Sequence, residues 1–411
     1  MMTMTADDAA PMPARRRLVL VGAGHAHAQV LLTLIHQPIP DLEIVLISPW
    51  PKVPYSGMVP AWLAGEYDWD ACCIDFNGLC QRAGARLIEY HVTAVDPVAK
   101  HVLLDSGMRV DYDWLSVNIG STLHAPTVHG AATGAPQIVP MRPLSALRAR
   151  WQQVLDDVIR LPSGSSYRVL MVGGGAAGME SILSAHHRLT TLAPGHLFQF
   201  TLATQGQTLV PGLSARAGRI LQTALRQRGI EVRTGFLASR IDAGAVIASD
   251  GQSIPAQAIL WATGAQAFGW PRDSGLSTDP RGFIRIDAML RSVSHPDVFA
   301  TGDCASWERE LPKAGVYAVR MGPVLAQNLR AAIAGIPLQP YRPQRRYLVL
   351  VGTGDRRAVA SWGPLGWHGA WVHRWKQTID RHFLAQYNTS ASVPGATTGR
   401  PVAGIRQREN R

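Results

Sequence analysis

The 411-residue chain has no long uninterrupted run of apolar residues. A helix that crosses a membrane needs about 20 such residues in succession, so no membrane span is predicted. The N-terminal stretch MMTMTADDAAPMPARRR has no apolar core of the kind that a secretory signal needs. We interpret residues 1–16 as a disordered tail and expect a cytoplasmic location.

Cysteine is also scarce, with four residues at positions 72, 73, 80 and 304. So few cysteines, three of them clustered, do not form a disulfide framework, and this indicates a reducing compartment. We interpret the adjacent Cys72 and Cys73 as small buried hydrophobic residues rather than as a redox couple.

Acidic residues are outnumbered, 29 against 40 basic ones, which leaves a net charge of +11. The excess fits either a generally basic surface or attraction to anionic lipid. No recognisable module interleaves basic residues with aromatic ones, so nucleic acid is not expected as a partner.

Glycine, in contrast, is abundant, and two segments share one plan around it. RRLVLVGAGHAHAQVLLTLI from Arg16 and YRVLMVGGGAAGMESILSAHHRL from Tyr167 each run from an apolar strand through a glycine turn into a helix. Another apolar strand follows each of them, over 42–48 and 197–204. The pattern predicts an α/β fold with two separate Rossmann-like, dinucleotide-binding domains.

The second glycine turn fills the whole fingerprint G-x-G-x-x-G with Gly173, Gly175 and Gly178, before a helix that contains Glu180. The first glycine permits the tight turn, and the second lets backbone N–H groups approach a pyrophosphate. The third lets helix and strand pack closely. This turn is predicted to bind a dinucleotide.

The first turn departs from the fingerprint, since His27 follows Gly22 and Gly24 at the third position. His25 and His27 lack the further ligands that a metal ion needs, so no metal site is predicted. His25 stands at a helix N-terminus, which favours a neutral imidazole that donates a hydrogen bond to cofactor or substrate. We interpret His27 as a bulky third residue that holds the helix slightly further from the strand.

Several further motifs follow in a fixed order: YDWLSVNIGS at 112–121, GGGAAGME at 173–180, WATG at 261–264, ATGDCA at 300–305 and KAGVYAVRMGPVLAQNLRA at 313–331. Together with the first turn, they resemble the FAD-dependent pyridine nucleotide-disulfide oxidoreductase superfamily over residues 16–387. Within it the chain is most similar to the type II NADH dehydrogenases and to a flavoprotein group associated with selenophosphate synthetase.

The resemblance implies an FAD domain split by an inserted NAD(P) domain. The FAD domain would comprise 17–150 and 271–335, and the NAD(P) domain 151–270, before a small C-terminal region, 336–387. The implied FAD-binding residues are Gly22, Gly24, His25, Ser48, Gly120, Gly302 and Asp303. Those implied for NADH or NADPH are Gly173, Gly175, Gly178, Glu180 and Gly264.

The resemblance also implies the chemistry. A hydride would pass from NAD(P)H to FAD, and the electrons would continue to an acceptor, for which a quinone is the favoured hypothesis. Lys313 is the candidate for a positive charge near the pyrimidine end of the flavin. Tyr55 is either a residue against the flavin ring or an ordinary core tyrosine. Two alternatives stay open: an oxidoreductase of selenium or sulfur metabolism with another acceptor, and a low-turnover redox sensor.

Some positions depart from the family pattern. Ser48 stands where an acidic residue usually binds the adenosine ribose of FAD. The matching strand of the second domain ends at Thr204-Gln205, with neither an acid for a ribose 2′-hydroxyl nor an arginine for a 2′-phosphate, so the choice of coenzyme stays open. Val316 and Met321 stand where type II NADH dehydrogenases carry glutamines near the quinone.

The cysteines argue against two related groups. Disulfide reductases need a closely spaced cysteine pair early in the FAD domain, and no such pair follows His27. Sulfide:quinone oxidoreductases need two well-separated cysteines that face the flavin, and Cys304 has no partner in the second half of the chain.

The C-terminal region is rich in tryptophan. Trp371, Trp375, Ile379 and Phe383 recur every four residues, which predicts a helix with an apolar face and a basic, polar face. Such a helix is typical of the membrane interface, which leaves a peripheral position on the cytoplasmic membrane open. The alternative is a helix that caps the flavin domain with its apolar face buried. Residues 388–411 are expected to form a disordered tail.

Overall fold

The structure, a computed structural model, describes residues 16–123, 127–129, 136–242 and 244–388. Apart from residues 16 and 388, both predicted tails lie outside this range. The helices within it are α1 (His25–His36), α2 (Val59–Leu63), α3 (Phe76–Ala83), α4 (Leu144–Arg160), α5 (Ala176–Leu192), α6 (Ala215–Gln227), α7 (Trp270–Asp273), α8 (Gly315–Ala334) and α9 (Ala370–Tyr387).

The strands, in chain order, are β1 (Arg16–Val21), β2 (Leu42–Ile47), β3 (Lys52–Pro54), β4 (Cys73–Asp75), β5 (Arg86–Ile88), β6 (Val92–Asp96), β7 (His101–Leu104), β8 (Arg109–Asp111), β9 (Trp114–Val117), β10 (Thr122–Leu123), β11 (Thr127–His129), β12 (Gln137–Pro140), β13 (Ser166–Val172), β14 (Leu197–Ala203), β15 (Glu231–Arg233), β16 (Ala238–Asp242), β17 (Ala245–Ala248), β18 (Ser253–Pro255), β19 (Ala258–Trp261), β20 (Ala265–Gln266), β21 (Ile284–Ile286), β22 (Val298–Ala300), β23 (Ala305–Trp307), β24 (Val349–Gly352), β25 (Ala358–Trp362) and β26 (Leu365–Gly369).

The first large sheet is parallel, with strand order β22-β9-β1-β2-β5. Its central strand β1 is buried from Leu18 to Val21, because side chains on both faces of a parallel sheet pack under helices. Strand β22 comes from beyond the inserted domain and completes the sheet beside β9. The two halves of this domain are therefore joined by backbone hydrogen bonds.

The second large sheet is also parallel, with order β12-β19-β13-β14-β15 and a hydrophobic core of its own. The predicted α/β class with two Rossmann-like sheets is confirmed. Strand β12, which precedes residue 151, already pairs with β19 in this second sheet. The domain boundary expected between residues 150 and 151 stays a prediction.

Smaller antiparallel sheets interrupt both domains. Strands β6, β7 and β8 form one such sheet in the first domain, and β9 then enters the first large sheet. Strands β16, β17 and β18 form the corresponding sheet of the second domain, with β11 parallel to its edge.

The C-terminal region joins the two domains. Its sheet β24-β25-β26 packs on α5 and α6 of the second domain, while α9 packs against β4 of the first. The side chain of Asn388 bonds to the backbone of Cys73 and Asp75, at 2.7 and 3.0 Å. On the other side, Arg228 of the second domain pairs with Asp355 at 2.8 Å.

Helix α9 exposes much of its apolar face and buries polar residues, the opposite of what a helix that caps a domain would do. Trp371, Trp375 and Ile379 are 49%, 39% and 38% exposed, and the two indole rings stack with centroids 6.3 Å apart. The buried face instead contains the polar residues His373, Lys376 and Asp380 along with Val372, Leu384 and Tyr387. Among the described residues, no helix is long and apolar enough to cross a membrane.

Candidate functional site

One cavity of 1380 Å³ lies between the two large sheets, at the ends where their parallel strands finish. Ten of the residues singled out from the sequence line it: Gly22, Gly24, His25, Ser48, Gly120, Asp303 and Lys313 from the first domain, and Gly173, Gly175 and Gly264 from the second. Four others, Tyr55, Gly178, Glu180 and Gly302, lie outside its wall.

The first glycine turn is closed around the end of β9. Gly22 has a φ of +93°, and a Cβ atom there would lie 2.7 Å from the carbonyl oxygen of Asn118. A Cβ on Gly24 would lie 2.0 Å from the Asn118 side chain. Both positions therefore need glycine, and the N-terminus of α1 is left open toward the cavity, where it suits an anion such as a pyrophosphate.

Asn118 is the residue that ties this turn to the rest of the domain. Its Oδ1 accepts the N–H of Ala26 at 3.1 Å, and its Nδ2 donates to the carbonyl oxygen of Thr301 at 2.8 Å. It is 3% exposed and touches the positions of Gly22, Gly24 and Gly302. Sequence reasoning passed over it, although it stands inside the YDWLSVNIGS motif.

His27 takes the place of the third glycine by bonding to the turn. Its Nδ1 lies 2.6 Å from the carbonyl oxygen of Gly22, so this nitrogen must be the donor, and its Nε2 accepts from the Ser116 hydroxyl at 2.9 Å. Burial lowers the pKa of His27 to about 4, against the opposing effect of the Gly22 carbonyl. The ring is thus neutral at pH 7 and acts as a structural link.

His25 is also held neutral, and it faces the cavity. Burial lowers its pKa to about 4, although the charge of Asp303 acts in the opposite direction. Its ring contacts Tyr55 edge-on with centroids 5.5 Å apart, and Phe383 of α9 lies 5.9 Å away. Tyr55 packs against Phe383 at 4.3 Å, so it forms part of an aromatic wall behind His25.

Asp303 meets an arginine that the sequence did not single out. Nη1 of Arg142 lies 2.5 Å from Oδ2 of Asp303 and 2.5 Å from the hydroxyl of Ser121. Its Nη2 donates to the carbonyl oxygen of Lys313 at 3.3 Å. Because Arg142 follows strand β12 of the second sheet, this contact spans the two domains on the cavity wall.

Lys313 projects onto the same wall. Its Nζ donates to the carbonyl oxygen of Ala305 at 2.6 Å and lies 3.7 Å from the centre of the Phe283 ring. Burial lowers the pKa of Lys313, while Cys304 and Asp303 act against that shift. Nearby on α8, Met321 is buried and its sulfur accepts the N–H of Gly302 at 3.3 Å, whereas Val316 is half-buried.

The second glycine turn has the steric pattern of a dinucleotide loop. A Cβ on Gly173 would lie 2.2 Å from the carbonyl oxygen of Ala262, and one on Gly178 would lie 2.0 Å from that of Gly173. Gly175, in contrast, has no described atom within 4 Å of its Cβ direction and lines the cavity at the start of α5. The open space at Gly175 fits a bound pyrophosphate.

The segment after strand β14, which lines the same cavity as the second glycine turn, carries no carboxylate. Thr204, Gln205, Gly206 and Thr208 line the cavity after β14. Among the described lining residues the carboxylates are Asp70, Asp75 and Asp303, all in the first domain. In the first domain, the hydroxyl of Ser48 donates to the carbonyl oxygen of Trp50 at 3.1 Å.

Glu180 points away from the cavity into a buried charged cluster. Its Oε1 accepts the N–H of Gly352 at 2.7 Å and lies 3.9 Å from Nζ of Lys376, which is 2.8 Å from Oδ2 of Asp380. Burial raises the pKa of Glu180 to about 7, although Lys376 and the Gly352 N–H oppose the shift. Burial by itself would lower the pKa of Lys376, but Glu180 and Asp380 outweigh it, and the net shift is upward.

The cysteines lie in the core rather than at the cavity. Cys72 and Cys73 are 0% and 2% exposed and unpaired, which confirms their interpretation as buried hydrophobic residues. Burial raises their pKa values to about 12 and about 11, so neither is a thiolate near neutral pH.

Comparison with known proteins agrees with this geometry. A family model described as pyridine nucleotide-disulphide oxidoreductase matches residues 16–322. The chain is similar to an NADH dehydrogenase-like protein of Mycobacterium tuberculosis, at 26% identity over 59% of this chain and 60% of that protein. It is also similar to an alternative NAD(P)H-ubiquinone oxidoreductase of Arabidopsis thaliana, at 24% identity over 86% of this chain and 76% of that protein.

Among solved structures, the sulfide:quinone oxidoreductase of Aquifex aeolicus is similar, with a TM-score of 0.74 and 17% identity over 91% of this chain and 92% of that one. At that identity the likeness concerns the fold alone. The match to the Mycobacterium tuberculosis relative spans 60% of its length.

Proposed function

Because the chain belongs to the pyridine nucleotide-disulphide oxidoreductase family, we propose that it oxidises NAD(P)H through FAD and passes the electrons to a quinone. The superfamily resemblance, and within it the likeness to NADH dehydrogenases, is confirmed. FAD and NAD(P)H are the cofactors of this family, and the prediction of both is confirmed.

The observation that carries the proposal is the shared cavity. Two glycine turns from separate sheets open into one space, so two dinucleotides held by them would meet within it. When bound, FAD supplies the redox chemistry, since it accepts a hydride and passes electrons on. The contribution of the protein is to orient the two cofactors and to set the charge around them.

The first domain would hold FAD through the residues predicted for it. The open start of α1 would receive the pyrophosphate beside Gly22 and Gly24, and the backbone around Gly120 would shape the wall. Gly302 would act from outside the wall, since it packs against the Asn118 side chain. Asp303 would bind the ribityl or phosphate arm, with Arg142 balancing its charge. Lys313 would place a positive charge near the flavin, where it would stabilise the reduced form.

The second domain would hold NAD(P)H at Gly173, Gly175 and Gly264. Gly178 would act indirectly, since it allows α5 to pack close to the turn. Glu180 would also act indirectly, through the charged cluster on the buried face of α9.

A quinone is the favoured acceptor because helix α9 exposes an apolar face that could bind a membrane surface. Trp371, Trp375 and Ile379 are exposed on α9, flanked by the exposed basic residues Arg374 and Arg381. Such a face suits the interface of an anionic bilayer, in which a lipid-soluble quinone resides. The Arabidopsis thaliana relative is itself an NAD(P)H-ubiquinone oxidoreductase, which also supports a quinone as the acceptor.

Turnover of the purified protein with FAD, measured with NADH or NADPH and menadione, tests the proposal. We expect sustained oxidation of at least one nicotinamide nucleotide with formation of quinol. The variant Gly178→Ala should weaken coenzyme use at least tenfold, since its methyl group would lie 2.0 Å from a backbone oxygen. Gly218→Ala is the matched control, because no described atom lies within 4 Å of that position on α6.

Different outcomes identify the alternatives. Bleaching of the flavin absorbance by NAD(P)H without turnover on quinone would favour the redox sensor or an acceptor from selenium or sulfur metabolism. A protein that cannot be reconstituted with FAD would overturn the proposal.

A further inference from the structure

Two aromatic side chains of the first domain line the cofactor cavity and are still half exposed. Trp50 is 49% exposed and Tyr90 is 42% exposed. Trp50 comes soon after strand β2, and Tyr90 comes soon after strand β5. Aromatic faces on a cavity wall are typical of ligand sites, because a ligand that covers them removes apolar surface from water.

The two strand ends that carry these side chains lie next to each other. Strands β2 and β5 are parallel neighbours, with Ile47 opposite Ile88. Just beyond them, the N–H of Ser48 donates to the carbonyl oxygen of Ile88 at 3.0 Å. Neighbouring strands are about 4.8 Å apart, so the segments that contain Trp50 and Tyr90 leave the sheet side by side.

The backbone around Trp50 is ordered by its neighbours. Trp50 stands between Pro49 and Pro51, whose rings restrict the backbone on both sides. The hydroxyl of Ser48 donates to the carbonyl oxygen of Trp50 at 3.1 Å and accepts the N–H of Trp50 at 3.4 Å. A side chain on a backbone that is already ordered loses less conformational entropy when a ligand binds.

The segment of Tyr90 is ordered through the residue that follows it. The N–H of His91 donates to the side chain of Asp105 at 3.3 Å, and the carbonyl oxygen of His91 accepts the N–H of Asp105 at 2.9 Å. Among the residues that the structure describes, no aromatic ring contacts the ring of Trp50 or that of Tyr90. Neither ring is therefore already paired with another.

A carboxylate is missing from the position beside these rings. Ser48 replaces the acidic residue that usually bonds to the adenosine ribose of FAD, and its hydroxyl is already bonded to Trp50. Two carboxylates that line the cavity elsewhere in this domain also have partners, since Asp70 pairs with Lys52 at 3.7 Å and Asp75 caps helix α3. The adenosine half of FAD therefore needs another contact.

The geometry points to that contact: we propose that Trp50 and Tyr90 bind the adenine of FAD by stacking on it, in place of the missing ribose contact. This inference rests on the proposed function, in which the first domain holds FAD. Adenine is a flat ring system, and aromatic side chains stack on nucleobases whatever their hydrogen-bonding groups are. Stacking on the base would thus supply the affinity that a carboxylate supplies in related proteins.

Binding of FAD to the full-length apoprotein, measured by isothermal titration calorimetry, tests the inference without any turnover. We expect Trp50→Leu and Tyr90→Leu each to weaken FAD binding at least fivefold, since the loss of a stacked ring costs roughly fivefold to a hundredfold in affinity. FMN has no adenine. Its binding should therefore be the same in the wild type and in both leucine variants, even where it is too weak to measure.

Matched controls separate stacking from general effects. Trp50→Phe and Tyr90→Phe keep an aromatic ring and should bind FAD within about threefold of the wild type. Trp362→Leu removes a tryptophan of similar exposure from β25, outside the cavity wall, and should bind FAD as the wild type does. The thermal unfolding temperature of the apoprotein should be unchanged in all these variants, because the substituted side chains are half exposed.

The possible failures are distinguishable. If the wild type does not bind FAD, the proposed function is wrong. If the wild type binds FAD and the leucine variants bind it equally well, stacking is wrong and the function stands. Stacking would also be overturned if FMN binding weakened as much as FAD binding, or if the phenylalanine variants lost as much affinity as the leucine variants. Weaker binding of NADH with unchanged binding of FAD would show that the rings serve the other nucleotide, and stacking on FAD would again be wrong.

Discussion

Asn118 and Thr301 are joined by a hydrogen bond of 2.8 Å between the side-chain Nδ2 and the backbone oxygen, although 183 residues separate them in the chain. Through Oδ1 the same side chain holds the N–H of Ala26 at the start of α1. A single buried carboxamide thus ties the first glycine turn to the strand that returns after the inserted domain. The predicted FAD site depends on that closure.

Asn118→Ala should therefore lose FAD. Two buried hydrogen bonds would disappear, at about 1 kcal/mol each, and the backbone groups they satisfied would be left without partners. We expect at least tenfold weaker FAD binding, measured by the release of flavin fluorescence on dilution. Asn328→Ala is the control, since Asn328 also makes buried bonds, to Met289 and Gln339, but lies on α8 outside the cavity wall. Equal FAD loss in both variants would contradict a specific role for Asn118.

His27 should make the protein sensitive to acid. Its pKa is about 4 in the folded state against an ordinary value of 6.5, so the unfolded chain binds more protons between pH 4 and pH 6.5. The free energy of unfolding should fall by about 3 kcal/mol as the pH drops through that window, since each pKa unit corresponds to about 1.4 kcal/mol. The loss should be absent above pH 7.

The measurement is urea unfolding of the wild type and of His27→Gln at several pH values between 4 and 7.5. The raised pKa of Glu180 has the opposite effect, because it increases the free energy of unfolding as the pH falls from about 7 to 4.5. The test therefore uses the difference in the free energy of unfolding between the wild type and His27→Gln. The variant should be less stable at pH 7, because its link to Gly22 is altered, and its stability should fall less toward pH 4. Parallel curves would show that His27 does not titrate in this range.

The absence of a described carboxylate beside Gln205 should leave the enzyme tolerant of NADPH. We expect the kcat/KM values for NADH and NADPH to differ by less than about tenfold, or about 1.4 kcal/mol. Gln205→Glu should raise the preference for NADH at least tenfold, because a carboxylate accepts the ribose 2′-hydroxyl and repels a 2′-phosphate. Gln207→Glu adds the same charge outside the cavity wall and should not change the ratio.

The exposed face of α9 should bind anionic membranes. Trp371→Ser combined with Trp375→Ser should weaken sedimentation with vesicles of phosphatidylglycerol and phosphatidylcholine at least tenfold, since both indoles would leave the interface. Trp362→Ser, which removes an exposed tryptophan from β25, serves as the control. Wild-type protein that stays in the supernatant at low salt would rule out the membrane contact.

The elements predicted best from the sequence were those specified by local chemistry. Apolar strands followed by glycine turns indicated both large sheets, because a turn that tight, and a helix packed that close, require glycine at fixed spacings. The same reasoning located Gly22 and Gly173, whereas Asp303 was implied by the family resemblance; all three line the cavity. The family was then identified from the motifs, because their order and spacing along the chain are far more specific than any single motif.

Residues whose partners lie far away in the chain could not be found in this way. Arg142 and Asn118 come just after strands β12 and β9, and their partners are 161 and 183 residues away. The orientation of α9 was also undetermined, because periodicity separates two faces of a helix without saying which of them is buried.

By itself, then, the sequence determined that this chain folds into two dinucleotide domains, since strand periodicity and the steric demands of glycine act over a few residues. Only the tertiary structure decided that the tryptophans of α9 face outward. Lys376 is buried because Glu180 and Asp380 compensate its charge, and Glu180 reaches it from another domain. A charged partner from another part of the fold can therefore stabilise the burial of a helix face that would be exposed in the isolated helix.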